Sequence, residues 1–98
     1  MTERIKALLG FARRAGKVCS GDAQIEAMLK KGKGSLLILA EDSLGTHKKY
    51  IKWAEDLKLS VIIVGNKQEL GLSIGLSPRA AILIMDQGFA KAILEVRS

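Results

Sequence analysis

The sequence predicts an α/β protein in which a largely parallel sheet lies between helical layers. Three unbroken apolar runs, Leu36–Ala40, Val61–Val64 and Ala80–Met85, are typical of strands that are covered on both faces. Segments with the apolar spacing of helices alternate with these runs at intervals of roughly 20 residues. This βαβ alternation requires right-handed crossover connections and favours parallel neighbours.

The chain has 98 residues, the usual size of one domain, so we expect residues 1–98 to form a single domain around one core. Apolar residues make up 48% of the chain and aromatic residues only 4%, so Leu, Ile, Val and Ala must fill that core. Large aromatic platforms for stacking single-stranded bases are therefore not expected.

The first helix is predicted over about residues 2–15. Ile5, Leu8, Leu9 and Ala12 follow the i, i+3, i+4, i+7 spacing of one buried helix face. Gly16 then ends the helix, because glycine readily adopts the left-handed conformation that follows many helix C-termini.

A second helix is predicted after a short extended piece, Lys17–Cys19. Either Ser20 or Gly21 can cap its start, and the sequence Lys30-Lys31-Gly32 ends it. Its cationic last turn suits the negative end of the helix dipole.

Three more helices separate or follow the apolar runs. The first is predicted over about residues 46–57. The second is short: it begins at Asn66, whose spacing from Glu69 fits a capping box, and it ends at Gly75. The third is capped by Asp86. On the first of these helices, the residues expected to face inward are Tyr50, Trp53, Ala54 and Leu57. On the third, they are Phe89, Ile93 and Val96.

Positive charge is concentrated near the N-terminus. The whole chain has a formal net charge of +6, and residues 1–33 hold eight Lys and Arg against three Asp and Glu, a net charge of +5. These side chains could simply solubilise two helices. Their concentration in one third of the chain favours instead a surface for an acidic partner.

We expect a cytoplasmic protein. The N-terminal segment carries charges at Glu3, Arg4 and Lys6, and it has no apolar stretch of the kind found in signal peptides. No segment approaches the ~20 apolar residues of a membrane span. The single cysteine, Cys19, rules out an intramolecular disulfide.

The motifs of common enzymes and cofactor sites are missing. Gly32–Ser35 is rich in glycine, but it precedes a predicted strand instead of linking a strand to a helix, so we interpret it as a turn and not as a phosphate loop. His47 is the only histidine, and no His or Cys pair has zinc-ligand spacing. A Cys19–His47 nucleophile pair is disfavoured because a lone cysteine is more often a packing residue. We therefore expect no enzyme activity and no cofactor.

Carboxylates follow two of the predicted strands. Asp42 comes after the first apolar run and Asp86 after the third, and in parallel sheets ligands commonly bind beyond such strand ends. Together the two could hold Mg²⁺. We favour the alternative that each one caps the helix that follows it.

The start of the second helix can attract phosphate. Gly21 permits close approach to the backbone, and the first N–H groups of a helix have no helical partner. Lys17, Lys30, Lys31 and Lys33 would add attraction if they lay nearby. An ordinary glycine turn between two core elements explains the pattern equally well.

Taken together, several features resemble a ribosomal protein family. They are Gly21 opening the second helix, Gly32 ending it, the strand and acidic turn of residues 36–42, Leu70-Gly71 with Gly75 after it, and Leu76-Ser77 before the last strand. In this order they resemble the archaeal-type large-subunit ribosomal proteins that bind kink-turns in RNA, which also have eukaryotic and bacterial relatives. Within that family the chain is most similar to the bacterial YlxQ-like branch.

The resemblance implies a three-layer α-β-α sandwich with a mixed, mostly parallel four-stranded sheet, in which Lys17–Cys19 is the extra edge strand. It also implies that RNA contacts the helix start, residues 21–27, beneath the loop of residues 76–80. There the family carries Gly-x-Asn-Glu followed by a lysine, where this chain has Ala23, Gln24 and Ala27. Gln24 has one acceptor oxygen where a glutamate has two, so the guanine readout of the family is expected to be weakened or retargeted.

The sequence therefore predicts a non-enzymatic protein that binds structured RNA, kink-turn-like or associated with the ribosome. We expect it to be a monomer, with protein partners in a ribonucleoprotein and no membrane contact. The residues expected to contact RNA are Lys17, Gly21, Asp22, Gln24, Lys30, Lys31, Lys33, Ser77 and Arg79. The alternative is a protein-interaction module on the same scaffold that has lost specific RNA binding, as Ala23 and Ala27 would suggest.

Overall fold

The computed structural model describes the backbone of residues 1–97 and the side chains of all of these except Leu44 and Thr46. Within this range, helices and strands alternate along most of the chain. In order they are α1 (Glu3–Arg14), β1 (Val18–Ser20), α2 (Asp22–Lys30), β2 (Leu36–Leu39), α3 (Leu44–Leu57), β3 (Val61–Ile63), α4 (Lys67–Ser73), β4 (Ala81–Ile84) and α5 (Gln87–Arg97). No helix in the described part of the chain is both long and apolar enough to cross a bilayer.

The helices form two layers around the sheet, as expected for an α-β-α sandwich. Alternate residues of β2 point to opposite faces, so Leu36 and Ile38 pack with α1, α4 and α5, whereas Leu37 and Leu39 pack with α2 and α3. Because both faces are covered, all four residues of β2 are buried. The unbroken apolar runs correctly predicted double coverage for β2 and β4, whose residues are all buried. For β3 the prediction was wrong, because β3 is an edge strand and Ile63 is 39% exposed.

The four strands lie in the order β1-β4-β2-β3. Only β2 and β3 are parallel; β4 is antiparallel to both of its neighbours, β1 and β2. The sheet is therefore mixed, as the family resemblance implied, but the expectation that it is mostly parallel was wrong.

The direction of β4 follows from the path of residues 64–80. The N–H of Val64 donates to the carbonyl of Leu39, and the N–H of Ala40 donates to the carbonyl of Ala80. Both ends of the connection are thus tied to the end of β2. The seven-residue α4 stays at this end of the sheet and does not run back along it, so the chain enters β4 from the same end and travels in the opposite direction.

The sheet consequently has two distinct ends. We call "the carboxyl edge" the residues at or just beyond the carboxyl ends of β1, β2 and β3, with the loop that enters β4: residues 20–22, 40–42, 64–66 and 79–80. We call "the amino edge" the residues at the opposite end: 16–17, 34–35, 59–60 and 85–86. Helix α1 ends at the amino edge, and helix α5 begins there.

The predicted helix ends agree with the structure to within two residues. Thr2 caps α1, and Gly16 follows that helix with a φ of 71°. Asn66 and Glu69 form the predicted capping box of α4. The helix predicted from residue 46 begins at residue 44, and the extra strand covers residues 18–20 and not 17–19. Leu57, which was expected to pack inward, is 44% exposed in the last turn of α3.

Candidate nucleic-acid interface

The start of α2 lies at the carboxyl edge and presents free backbone donors. Gly21 is its N-cap residue, with a φ of 91° that side-chain-bearing residues rarely adopt. The first helical hydrogen bond joins the N–H of Ile25 to the carbonyl of Gly21, and no side chain caps this end. The N–H groups of residues 22–24 therefore face a surface that an anion can approach.

The loop that precedes β4, residues 74–80, is held against α4. The N–H of Leu76 donates to the carbonyl of Gly71 at 2.8 Å, and the N–H of Arg79 donates to that of Lys67 at 3.0 Å. A Cβ atom on Gly71 would lie 2.1 Å from the carbonyl oxygen of Ser77. The loop can approach this closely only because residue 71 is glycine.

Strand pairing brings this loop and the start of α2 together. In the antiparallel pair of β1 and β4, Ser20 lies opposite Ile82. Continuing that register by one residue sets Gly21 opposite Ala81, one strand spacing of about 4.8 Å away. The start of α2 therefore lies beside the residue that follows the loop, and Arg79 is two residues before it in the chain.

Asp22 is engaged with α3. One carboxylate oxygen accepts a short hydrogen bond from the Tyr50 hydroxyl, and the other accepts one of 3.4 Å from Lys49 Nζ. The hydrogen bond from Tyr50 is the main cause of the lowered pKa of Asp22. The pKa of Tyr50 is raised, mainly because the side chain is buried and secondly because its hydroxyl contacts Asp22. Asp22 was predicted to contact RNA, but its two oxygens link α2 to α3.

Gln24 and its neighbours form one side of a groove between β1 and α2. Gln24 is exposed, and its side-chain oxygen lies 3.9 Å from the sulfur of Cys19. Ala23 and Ala27 are also exposed and line the same groove, which reaches Lys17 and Met85 at its far end. The only side-chain hydrogen-bonding group at the three altered readout positions is thus the Gln24 amide.

Arg79 folds back over its own loop. Its Nη1 donates to the Ser77 hydroxyl at 2.7 Å and to the carbonyl oxygens of Ser77 and Pro78 at 3.2 and 3.1 Å. Nε and Nη2 make no hydrogen bond within the part of the chain that the structure describes. The loop therefore fixes the position of one guanidinium group, and its Nε and Nη2 remain available as hydrogen-bond donors.

The lysines predicted to surround the helix start lie elsewhere. Lys30, Lys31 and Lys33 follow α2 to its other end, about 13 Å from Gly21 at 1.5 Å per residue. Lys17 precedes β1 and is also about 13 Å away along an extended chain. The sequence pattern identified a basic region correctly, but it could not assign the region to an end of the helix.

Asp42 and Asp86 cap helices at opposite edges of the sheet. An oxygen of Asp42 accepts from the N–H of Lys67, so Asp42 caps the start of α4 and not that of α3, the next helix along the chain. Asp86 caps α5, as expected, by accepting from the N–H of Phe89. Since β2 and β4 are antiparallel, the two carboxylates lie at different ends of the sheet and cannot share one cation.

Cys19 and His47 have separate environments. Burial raises the pKa of the Cys19 thiol, which favours the unreactive protonated form. The Nε2 atom of the buried His47 lies 2.7 Å from the carbonyl oxygen of Ala40. Because a carbonyl only accepts, Nε2 carries the proton in this contact, and His47 fixes the end of β2.

Lys49 is a residue that sequence analysis missed. Besides its contact with Asp22, its ammonium group lies 5.1 Å from the centre of the Tyr50 ring and 5.3 Å from that of Trp53. Cation–π attraction therefore helps to hold it beside the start of α2. The i, i+4 spacing of Lys49 and Trp53 on a predicted helix was a usable signal for part of this arrangement.

Comparisons with known proteins agree with the fold. The model of the ribosomal protein L7Ae/L30e/S12e/Gadd45 family matches residues 3–94. The RNA-binding protein YlxQ of Bacillus subtilis is 34% identical over 90 residues, which cover 91% of this chain and 90% of that protein. The large ribosomal subunit protein eL8 of Thermoplasma volcanium is 29% identical, with 83% of this chain and 69% of that one covered. A protein of unknown function from Bacillus halodurans has a similar structure, with a TM-score of 0.91, 31% identity and 97% of each chain covered.

Proposed function

Because the chain belongs to the ribosomal protein L7Ae/L30e/S12e/Gadd45 family, we propose that it is a non-enzymatic protein that binds structured RNA at the carboxyl edge. The observation that carries this proposal is the uncapped start of α2 beside the α4–β4 loop. Two relatives, an RNA-binding protein and a protein of the large ribosomal subunit, support RNA as the partner. They also favour a cytoplasmic, ribosome-associated role.

The backbone of this site can bind phosphate groups, whereas its side chains can form few hydrogen bonds with bases. Gly21 and the free N–H groups that follow it can bind phosphate oxygens of any sequence. Gln24 can form hydrogen bonds with a base edge, but Ala23 and Ala27 cannot. We infer that the protein prefers bent RNA for its shape and discriminates bases weakly.

Restoring the family pattern tests this inference. The wild type and the triple variant Ala23→Asn/Gln24→Glu/Ala27→Lys would be titrated with a kink-turn RNA and with a scrambled duplex of equal length, at two salt concentrations. We expect the wild type to prefer the kink-turn modestly. The variant should gain about 1–3 kcal/mol of discrimination for each restored bidentate base contact.

A matched variant separates charge from readout, because the triple variant also changes the local charge. The single substitution Ala27→Lys adds a cation at the same place, and it should strengthen binding of both RNAs alike. Equal affinity of the wild type for the two RNAs would contradict shape recognition. An absence of binding at low salt would contradict the RNA function altogether.

A protein partner at the same groove is a second candidate function. The groove between β1 and α2 has a largely apolar lining that includes Ala23, Ala27, Met28 and Met85. Such a surface can bury an apolar side chain of a partner protein. A partner retained by the full chain after nuclease treatment, and lost on Ala27→Glu, would favour this role over RNA binding.

A further inference from the structure

Five unpaired cations of the first third of the chain lie at or next to the amino edge. Arg13 and Arg14 are the last residues of α1, Lys17 immediately precedes β1, and Lys31 and Lys33 follow α2. We call these five residues the amino-edge cluster. They lie at the end of the sheet opposite to the site proposed above.

Backbone hydrogen bonds bring the members of this cluster together. The N–H of Met85 donates to the carbonyl of Lys17, and the N–H of Ser35 donates to that of Ile84. Lys17 and Ser35 therefore flank the end of β4 on either side, about two strand spacings or 10 Å apart. Lys33 is two residues before Ser35, and its own N–H is fixed to the carbonyl of Met28.

No acidic side chain pairs with any of these five cations, whereas three lysines elsewhere in the described residues form ion pairs. Lys6 pairs with Glu3 and Glu69, Lys30 with Glu26, and Lys49 with Asp22. Within the described residues, no ion pair engages any member of the amino-edge cluster, and all five are exposed. The carboxylate of Asp86, which caps α5 at the same edge, offsets at most one of these five charges. The cluster therefore carries net positive charge that is not neutralised internally.

The arrangement fits a row of phosphates better than a single anion. Arg13 and Arg14 belong to one helical layer and Lys31 and Lys33 to the other, with Lys17 between them at the sheet edge. Adjacent layers are about 10 Å apart, so the cluster spans roughly 20 Å. That length can meet several phosphates of a duplex, which carries one negative charge per about 1.7 Å of helix axis. Lysine-rich surfaces of this kind bind the backbone without reading bases.

We propose that the amino-edge cluster binds the phosphate backbone of double-stranded RNA, independently of the site at the start of α2. The two surfaces face away from each other along α2. One molecule can therefore hold a bend at the carboxyl edge and a second helical segment at the amino edge.

The test uses a fully paired RNA duplex, which lacks any bend for the first site. The full-length variant Lys17→Gln/Lys31→Gln/Lys33→Gln would be compared with the control Lys48→Gln/Lys52→Gln/Arg97→Gln, which removes the same charge from other exposed positions. We expect the first triple variant to lower duplex affinity by about tenfold or more at low salt, and to reduce the slope of log K against log salt by about 2 to 3. The control should lie much closer to the wild type, and thermal melting should show both variants folded.

Several outcomes would overturn this proposal. Equal losses in the two triple variants would mean that total charge, and not this cluster, determines binding. Duplex binding by the first triple variant that is as tight as that of the wild type would show that the cluster does not contact the duplex. Loss of binding to phosphatidylserine vesicles with unchanged duplex binding would assign the cluster to a lipid surface instead. A failure of kink-turn recognition at the first site would leave the duplex result intact, so the two proposals are separable.

Discussion

At the scale of single residues, Gly71 shows how a missing side chain positions the candidate site. It lies inside α4, where glycine usually weakens a helix. The carbonyl of Ser77 occupies the space that a Cβ atom would need, and the loop that carries Arg79 packs there. The helix therefore accepts a poor helix former so that the loop can be held at the carboxyl edge.

Substituting Gly71 should accordingly be destabilising. We expect Gly71→Ala to cost about 3 kcal/mol of the free energy of unfolding, the upper end of the range for overpacking, because the contacted atoms are backbone and cannot move aside easily. Chemical denaturation measures this loss. The same experiment should show weaker binding of kink-turn RNA under conditions in which the variant is still folded.

Gly45 provides the matched control. It lies in α3, and an added Cβ would meet nothing within 4 Å. Gly45→Ala should therefore stabilise the protein by about 0.5 kcal/mol, because alanine loses less conformational freedom on folding. If both substitutions had the same effect, the close packing of the loop on Gly71 would be contradicted.

At the scale of secondary-structure elements, one carboxylate joins the two helices on one face of the sheet. Asp22 is the first residue of α2, and Tyr50 and Lys49 are adjacent residues in the middle of α3. The ring of Tyr50 is buried against the core, so its hydroxyl is held in place to bind Asp22. This link fixes the start of α2 while leaving its N–H groups exposed.

The link should make stability depend on acidity. The Tyr50 hydroxyl lowers the pKa of Asp22 below its ordinary value of 3.8, so the unfolded chain takes up the proton first. The contribution of Asp22 is therefore complete above pH 3.8 and is lost as the pH falls through the lowered pKa of the folded state. The free energy of unfolding measured from pH 6 to pH 2 should fall less steeply for Asp22→Asn than for the wild type.

Tyr50→Phe tests the cause of this dependence. It keeps the buried ring and removes only the hydroxyl, so we expect a loss of about 1 kcal/mol at neutral pH. The acid profile should flatten as it does for Asp22→Asn. A profile as steep as that of the wild type in both variants would show that other carboxylates determine acid stability.

At the scale of the whole molecule, the direction of β4 separates groups that a parallel sheet would bring together. With β4 antiparallel, its carboxyl end lies at the amino edge, and Asp86 lies there with it. Asp42 remains at the carboxyl edge beside α4. A chain with the same residues and a parallel β4 would have both carboxylates at one edge.

Magnesium should therefore have no specific effect on stability. Because Asp42 and Asp86 cap different helices at different edges, we expect MgCl₂ to change the melting temperature no more than NaCl of equal ionic strength. Thermal melting over a range of MgCl₂ concentrations measures this. A saturable rise that is specific to Mg²⁺ and disappears in Asp42→Asn would contradict the separation.

Local patterns predicted most of the elements and part of the site. The capping box at Asn66 and the glycines after α1 and α2 act within a few residues, so they can be read directly from the sequence. The family resemblance implied that Gly21 and the loop of Ser77 lie together, and strand pairing places Gly21 beside Ala81, the residue that follows this loop. The distance of Lys31 and Lys33 from Gly21 could not be predicted from charge counts, because a charge count carries no direction along a helix.

The sequence by itself determined the alternation of helices and strands, the double coverage of β2 and β4 and the concentration of basic residues, since each depends on neighbouring residues or on composition. Only the tertiary structure decided the direction of β4, the attachment of Asp22 to α3 and the assignment of cations to the amino edge. These depend on contacts between segments far apart in the chain, such as Asp22 with Tyr50 and Ala40 with Ala80. Such contacts form only when the apolar faces of all the layers pack at once, which no local pattern specifies.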